Sequence, residues 1–504
     1  MNAAIGIDVG TQGTKGVLVS EQGEQLATAF RPSHLHRPGP GVVEEDPEQQ
    51  FASVCKVIEE CLERSNAKPL SVVGIAVAGQ MAGIIGIGQD GRNVTPYDSW
   101  LDTRCRPYIT KMEEEAGEAV VNSAGCPPSF NHGPKILWWM HERPEVFREI
   151  RAFVQPGAYV AMRLCGLPES DAFIDHTYLH FSGFADNARG QWNTALAEQF
   201  GLDPALLPRI VAPHDSIGEV SASVAAQCGL KAGTPVVAGC GDTAASFLAC
   251  GATEEGICVD VAGTASVFAA TTSSYRPDGD QKILACSRSA TPDLWHSYAY
   301  INGGGMNLEW FRQEIANGGA AETREGITFE DLEGMAAAVL ADEEAPLFVP
   351  HLEGRVCPSE PNLRGAWVGL TRGSSLGALY RAVLESVALE YGLYERAILA
   401  LYPDFRSREL RITGGGERSA LWNQIKADAL NMSVVQVQGG GGAPLGAAML
   451  ACLGTGVHQD LPSAAAEWIE TGQRFAPNSN LSHYYQKRID RYQAALGAVR
   501  ELSS

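Results

Sequence analysis

A short hairpin pattern occurs twice in the chain, and the repetition narrows the choice of fold more than any other property of the sequence. In "IGIDVGTQGTKGVLV" (5–19) two apolar runs flank Gly10, Gly13 and Gly16. In "GICVDVAGTASVFAA" (256–270) the order is again strand, Gly-Thr turn, strand. Each reads as a hairpin, and together they suggest a weak internal duplication with a boundary near residue 250. One core rarely supports 504 residues, so two domains are expected, 1–250 and 251–504. Asp8 in the first hairpin raises a chemical question. A buried carboxylate is costly unless partnered, so this is either an ordinary hairpin with an incidental acid or a loop facing phosphate and metal.

The intervening sequence fits a layered α/β domain. "PEQQFASVCKVIEECLERS" (47–65) places Phe51, Val54, Val57, Ile58 and Leu62 on one helical face. "LSVVGIAVAGQMAGIIGI" (70–87) reads as a buried strand ending in a loop of small residues. "GTPVVAGCGDTAASFLACG" (233–251) reads as a strand, a glycine turn holding Asp242, and a small-residue helix whose first N–H groups suit an anion. Triple-glycine turns stand at Gly303–Gly305 and Gly414–Gly416, and residues beyond about 460 read as amphipathic helix.

Composition removes several function classes. The formal net charge of −21, with no basic run, argues against a nucleic-acid partner. No stretch of 18 uncharged apolar residues predicts a membrane span. The twelve cysteines contain no C-x-x-C pair, so a structural zinc site is not expected and the thiols read as reduced. With no basic segment before the first strand, a cytoplasmic location is the expectation.

Neither a dinucleotide fingerprint nor a phosphate-binding P-loop is present. The co-occurrence of parts is more telling. Two Gly-Thr hairpins plus Asp8 and Asp242 could clamp a triphosphate and a second substrate between two domains, the set that phosphoryl transfer needs.

The chain resembles the FGGY carbohydrate kinases, and within them the xylulokinases. The resemblance is carried by "GIDVGTQGTKGVLV" (6–19), "GIAVAGQMAG" (74–83), "SWLDTR" (99–104), "PKILWW" (134–139), "VVAGCGDTAA" (236–245) and "DVAGTASVF" (260–268). It continues through "RGAWVGLTRGSSLGALYRAVLESVALE" (364–390), "ITGGGERSALWNQIKADALNMSV" (412–434) and "GAPLGAAMLA" (442–451). It implies two actin-like (ribonuclease-H-like) domains around an interdomain cleft, the first binding sugar and the second nucleotide. ATP and Mg²⁺ are the implied cofactors and a small sugar or polyol the implied acceptor, with no membrane or nucleic-acid partner and room for a homodimer.

Residue by residue, the resemblance makes Asp242 the general base and Asp8 the metal-side acid. Thr11 and Lys15 fall at phosphate positions, as do Gly263 and Thr264 in the second hairpin. Gly305, Gly415, Gly416 and Ser419 fall along the adenosine site, where a Cβ would hold a flat ligand off the backbone. On the sugar side stand Met81, Ala82, Trp100, Asp102 and Thr243, with Asp242. Xylulokinases usually carry Met-His where this chain has Met81-Ala82, often Asn where Leu101 stands, and Gly-Asp-Asn where the turn reads Gly-Asp-Thr. D-xylulose is the expected substrate, with ribulose, another ketose or a polyol such as glycerol as the alternative; a non-catalytic actin-like ATP-binding protein is a further one. "DHTYLHF" (175–181) could flank the cleft, though nothing in its spacing requires it, and His132, His141, His176, His180 and His351 show no metal-ligand spacing.

Overall fold

The computed structural model describes residues 1–65, 71–319, 326–355, 358–439 and 442–503. Leu70 and Cys357, and the glycines at 440 and 441, lie outside them.

The first hairpin is β1 (Asn2–Val9) and β2 (Gly13–Ser20), joined by a three-residue turn and continued by β3 (Gln25–Pro32). Helix α1 (Pro47–Arg64) starts at Asp46, whose side chain accepts the Glu48 N–H, and returns the chain to β4 (Ser71–Gly79). After a long excursion, β5 (Ser216–Glu219) and β6 (Pro235–Val237) complete a sheet of order β5-β6-β4-β1-β2-β3. Within it β1, β4 and β6 run parallel, whereas β2, β3 and β5 are antiparallel to their neighbours.

After helix α2 (Asp242–Ala249) the plan repeats. Strands β7 (Ile257–Ala262), β8 (Ser266–Thr272), β9 (Ala285–Arg288), β10 (Trp295–Ile301), β11 (Glu409–Thr413), β12 (Val434–Val437) and β13 (Thr471–Phe475) form a sheet of order β9-β10-β8-β7-β11-β12-β13. Its core strands β7, β11 and β12 are parallel, and β7-β8-β10 is an antiparallel meander like β1-β2-β3. The duplication faint in the sequence is therefore explicit in the two sheets, with β9 as an added strand. Helices α3 (Leu376–Leu401), α4 (Ala420–Leu430) and the tail helix α6 (Ser482–Ser503) share the second core with the strands.

Chain position and packing part company at α5 (Gly442–Gly454). Although it follows the second sheet's parallel strands, it covers the first sheet. Its Ala447, Ala448 and Ala451 join one cluster with Ala4, Val17, Ala76 and Ala78 of the strands and Ala245 and Leu248 of α2. Trp468 beyond it donates to the Glu21 carbonyl at 3.1 Å. So residues 442–468, expected in the second domain, sit on the first sheet. Small residues make the approach possible: a Cβ on Gly6 would lie 1.8 Å from the Pro444 carbonyl oxygen, and one on Gly446 would lie 2.1 Å from that of Ala245.

Gly446→Ala is therefore expected to cost roughly 1–3 kcal/mol, the usual range for overpacking, read as a lower urea midpoint. Gly497→Ala, on α6 with nothing within 4 Å of the new methyl, is the control and should leave stability level or slightly raised. Equal midpoints for the two variants would contradict this account of the α5 contact.

Candidate active site

Three parallel strands end side by side, and the chemistry-bearing residues lie at or just past those ends, where ligands of open α/β sheets bind. Asp8 is the penultimate residue of β1 and pairs in register with Ala78 of β4 and Lys15 of β2. Gly79 ends β4 and bridges Gly241, the residue before Asp242. The end of β4 and the glycine turn are thus drawn together, and Asp242 and Asp8 are close enough to repel each other.

That repulsion is visible in the acidity of Asp8. Asp8 is 9% exposed and its Oδ1 has no hydrogen-bond partner. Burial pushes its pKa well above the ordinary 3.8, the Asp242 charge pushes it further, and Lys15 pulls weakly the other way. Asp242 is also raised, by burial, with its bonds to Thr243 opposing the shift. Its Oδ1 accepts the Thr243 N–H at 2.6 Å and the Thr243 hydroxyl at 3.1 Å. Gly241, not Asp242, is the N-cap of α2, so Asp242 is not spent on capping the helix.

The second hairpin also holds an acid, and the contrast is informative. Asp260 on β7 is fully buried, but Lys426 forms an ion pair with it and the Tyr391 hydroxyl donates to it at 2.7 Å. A carboxylate that only fills a core is given partners of this kind. Asp8 has a second carboxylate for a neighbour instead.

Thr11 sits in a different relation from the one expected. Its hydroxyl donates to Gln80 Oε1 at 3.0 Å and accepts the Trp100 indole N–H at 2.8 Å. Gln80 in turn donates to Glu45 at 2.8 Å, which also takes a bond from Gln50. The hydroxyl is occupied, and its role is to tie the first hairpin to the loop after β4 and to Trp100. The Thr11 and Gln12 N–H groups make no bond among the described residues, and they remain available to an anion.

Met81 packs on Tyr178 and Leu179. A Cβ on Gly241 would lie 2.8 Å from the Met81 sulfur, so this side chain adjoins the Asp242 turn. Ala82 follows with φ +63°, a left-handed conformation unusual for alanine. Trp100 is 40% exposed.

Asp102 departs from its expected part. It is wholly buried, its Oδ2 accepting the Val43 N–H at 2.7 Å and its Oδ1 the Arg104 N–H at 3.0 Å and Nε at 3.1 Å. Buried Lys135 completes the support by donating to Asp98, to the Ser99 carbonyl and to the Asp102 carbonyl. Asp102 thus fixes the loop that presents Trp100; its carboxylate is filled from within.

In the second half the turn after β7 meets both triple-glycine turns. Gly305 N–H donates to the Gly263 carbonyl at 3.0 Å, and Met306 N–H to that of Thr264 at 3.1 Å. A Cβ on Gly305 would lie 2.5 Å from the Gly263 oxygen, and one on Gly416 would lie 2.7 Å from both Ala262 and the Trp422 ring. These two glycines are needed for chain-to-chain contact, whatever a ligand would also require of them. Only Gly415 of the set faces open space. Ser419 is the N-cap of α4, its hydroxyl accepting the Trp422 N–H at 3.1 Å. Thr264 is exposed at the turn.

Residues that sequence reasoning passed over are Glu45 and Gln80, while Thr177 and Tyr178 lie in the 175–181 segment that it named without giving them a role. Glu45 is 3% exposed with its pKa raised by burial and tempered by its two glutamine bonds. The signal for it was an acid placed just before the α1 cap. Among the described residues no group of His, Cys, Asp and Glu has the arrangement of a multi-ligand metal centre, no two cysteines form a disulfide, and no helix is long and apolar enough to cross a membrane.

The profile of the FGGY family of carbohydrate kinases, N-terminal domain, matches residues 3–249, and that of its C-terminal domain residues 258–455. The xylulose kinase of Bacillus subtilis (strain 168) is 26% identical over 510 residues, 100% of this chain and 98% of its own. The gluconokinase of the same organism is 28% identical over 490 residues, 96% of this chain and 93% of its own. The crystal structure of xylulose kinase from Rhodospirillum rubrum superposes with a TM-score of 0.88 at 26% identity, covering 99% of each chain.

The raised acidities predict a pH slope. An acid whose folded pKa is raised binds more protons folded than unfolded, so stability is highest below 3.8 for that group and falls as pH climbs through the raised value. Asp8→Asn removes one charge of the pair. It should flatten the fall in thermal midpoint of the ligand-free protein between about pH 5 and 8, where one group contributes at most about 1.4 kcal/mol per pH unit. An identical slope in variant and parent would count against the charge pair.

Proposed function

The chain belongs to the FGGY family of carbohydrate kinases, and from that premise we propose that it transfers the γ-phosphate of ATP to a hydroxyl of a ketose, D-xylulose before others, with Asp242 as general base. The observation that carries this reading is the pair of acids at the strand ends, one of them with an unpartnered buried oxygen.

The acceptor hydroxyl would lie against Asp242, beside Met81 and Trp100, with Thr243 at the same helix start. As its oxygen bonds to the γ-phosphorus, its proton passes to Asp242 and the bond to the departing ADP oxygen breaks. A base works best when its pKa lies near the working pH, and burial moves Asp242 in that direction. Asp8, with Lys15 opposite, would manage the phosphate side, and its orphaned oxygen suits a divalent cation. Mg²⁺ held there would neutralise charge on the phosphates. The N–H groups of Thr11 and Gln12, with Gly263 and Thr264 from the second half, would cradle the phosphate chain. Gly415 would let the adenosine lie against the backbone, while Gly305, Gly416 and Ser419 shape its surroundings.

Relatives named xylulose kinase support the ketose. Ala82 supports a second reading, a different sugar or polyol, because a site lacking one hydroxyl partner discriminates differently, and a gluconokinase is similarly related.

Coupled ADP release, read as kcat/KM over D-xylulose, D-ribulose, D-gluconate and glycerol, tests the proposal; a ketose should lead, and sugar-independent turnover across the panel would overturn it. Asp242→Asn should lower kcat by about 10²–10⁴-fold while nucleotide still binds, and an unchanged kcat would remove the base from position 242. Histidine is among the residues enriched at left-handed positions, so Ala82→His should fold and shift preference towards D-xylulose; an unaltered ranking would show that this position does not choose the sugar.

A further inference from the structure

The segment "DHTYLHF" (175–181) has no part in the chemistry above, yet it touches both the Asp242 turn and the second half of the molecule. It forms a 3-10 helix, His176–Phe181, entered through Asp175. The Thr177 hydroxyl accepts the Gly241 N–H at 3.0 Å and donates to buried Asp175 at 2.5 Å. The Tyr178 hydroxyl donates to the Gly79 carbonyl at 2.8 Å, and the Cys240 carbonyl lies 3.5 Å away. Two adjacent residues thus hold the end of β4 and the turn immediately before Asp242.

Other side chains of the same segment reach the second sheet. His176 Nε2 lies 3.2 Å from the Ser289 carbonyl, just past β9, and His180 Nε2 lies 2.7 Å from the Tyr298 hydroxyl of β10. Tyr298 also packs edge-on against His180 and against Phe247 of α2. The surrounding seam is well bonded: Arg288 donates to the Asn187 and Ala188 carbonyls, and Asn187 donates to the Cys286 carbonyl at 3.2 Å.

We infer that residues 175–181 are a positioning element that ties Asp242 to the seat of the second half, Thr177 and Tyr178 holding the turn while His176 and His180 are held by the second sheet. The inference rests on the reading of Asp242 as the base. A two-turn 3-10 helix bonded at both sides moves as a unit, so a shift of the second sheet is passed to the Gly241 N–H. Misplacement of a reacting group by about 1 Å costs on the order of a hundredfold. The base is thereby set correctly only when the two halves are seated together. Neither Thr177 nor Tyr298 is placed against substrate, and both act through other residues.

Thr177→Val keeps the shape and removes the hydroxyl, Thr177→Ser restores it, and Tyr298→Phe removes the far contact while keeping the ring. The expected result is a kcat lowered roughly ten- to a hundredfold in Thr177→Val and in Tyr298→Phe, with KM for ATP within about twofold and recovery in Thr177→Ser. In the double variant the losses should fall short of their product, because both cut one linkage. An unchanged kcat in Thr177→Val, or losses that multiply, would overturn the inference. If Thr177→Val does not fold, Tyr298→Phe with an unchanged kcat would overturn it alone. Asp242→Asn is run alongside: a normal kcat there would defeat the base assignment itself, whereas its collapse together with an intact Thr177→Val would defeat only the linkage.

Discussion

Two negative charges held near one another out of water set the terms for the rest of this molecule. Asp8 and Asp242 each resist ionisation through burial, and the Asp242 charge makes Asp8 harder still to ionise. Left alone the pair is a liability, because among the described residues Lys15 is the one cation set against Asp8. Its counterpart in the second half shows that the chain can silence a buried acid when only structure is at stake, since Asp260 is matched with Lys426 and Tyr391. Retaining that repulsion at the first sheet fits the proposed function, in which a divalent cation held at Asp8 would relieve it.

Around that pair the polar groups are arranged to fix positions. Trp100, Thr11, Gln80 and Glu45 form one hydrogen-bonded series from the exposed indole to a buried acid. Asp102, Arg104, Asp98 and Lys135 form another beneath the Trp100 loop, with the Arg104 guanidinium 4.5 Å from the Trp138 ring. Buried ionic groups are expensive, and satisfied networks of them hold one arrangement at the expense of others. The loop that presents Trp100 is therefore carried by a rigid frame.

Much of this was legible before any coordinates. The repeated hairpin foretold two sheets because alternation and glycine turns are local properties, and Asp8 and Asp242 stood out because acids in apolar strands and turns need a reason. What was not legible depended on three-dimensional neighbours. That Gly305 and Gly416 press on their own chain, that Asp102 faces inward, and that Thr11 spends its hydroxyl on Trp100 and Gln80 are facts about partners distant in sequence, such as Ala262 for Gly416 and Trp100 for Thr11. The return of α5 to the first sheet was hidden for the same reason: its small residues announce close packing without naming the surface. The 3-10 segment at 176–181 carries no periodic signal at all.

The placement of α5 also bears on how the protein is made. Ala4, Val17, Val19, Ala76, Ala78 and Val237 form an apolar face that is covered by α2 and by a helix ending at residue 454. During synthesis the first half leaves the ribosome with most of that face bare, and its cover arrives only after nearly two hundred further residues have been added. Covering the first sheet is thus a long-range event in the chain, completed by a helix that follows the second sheet's parallel strands.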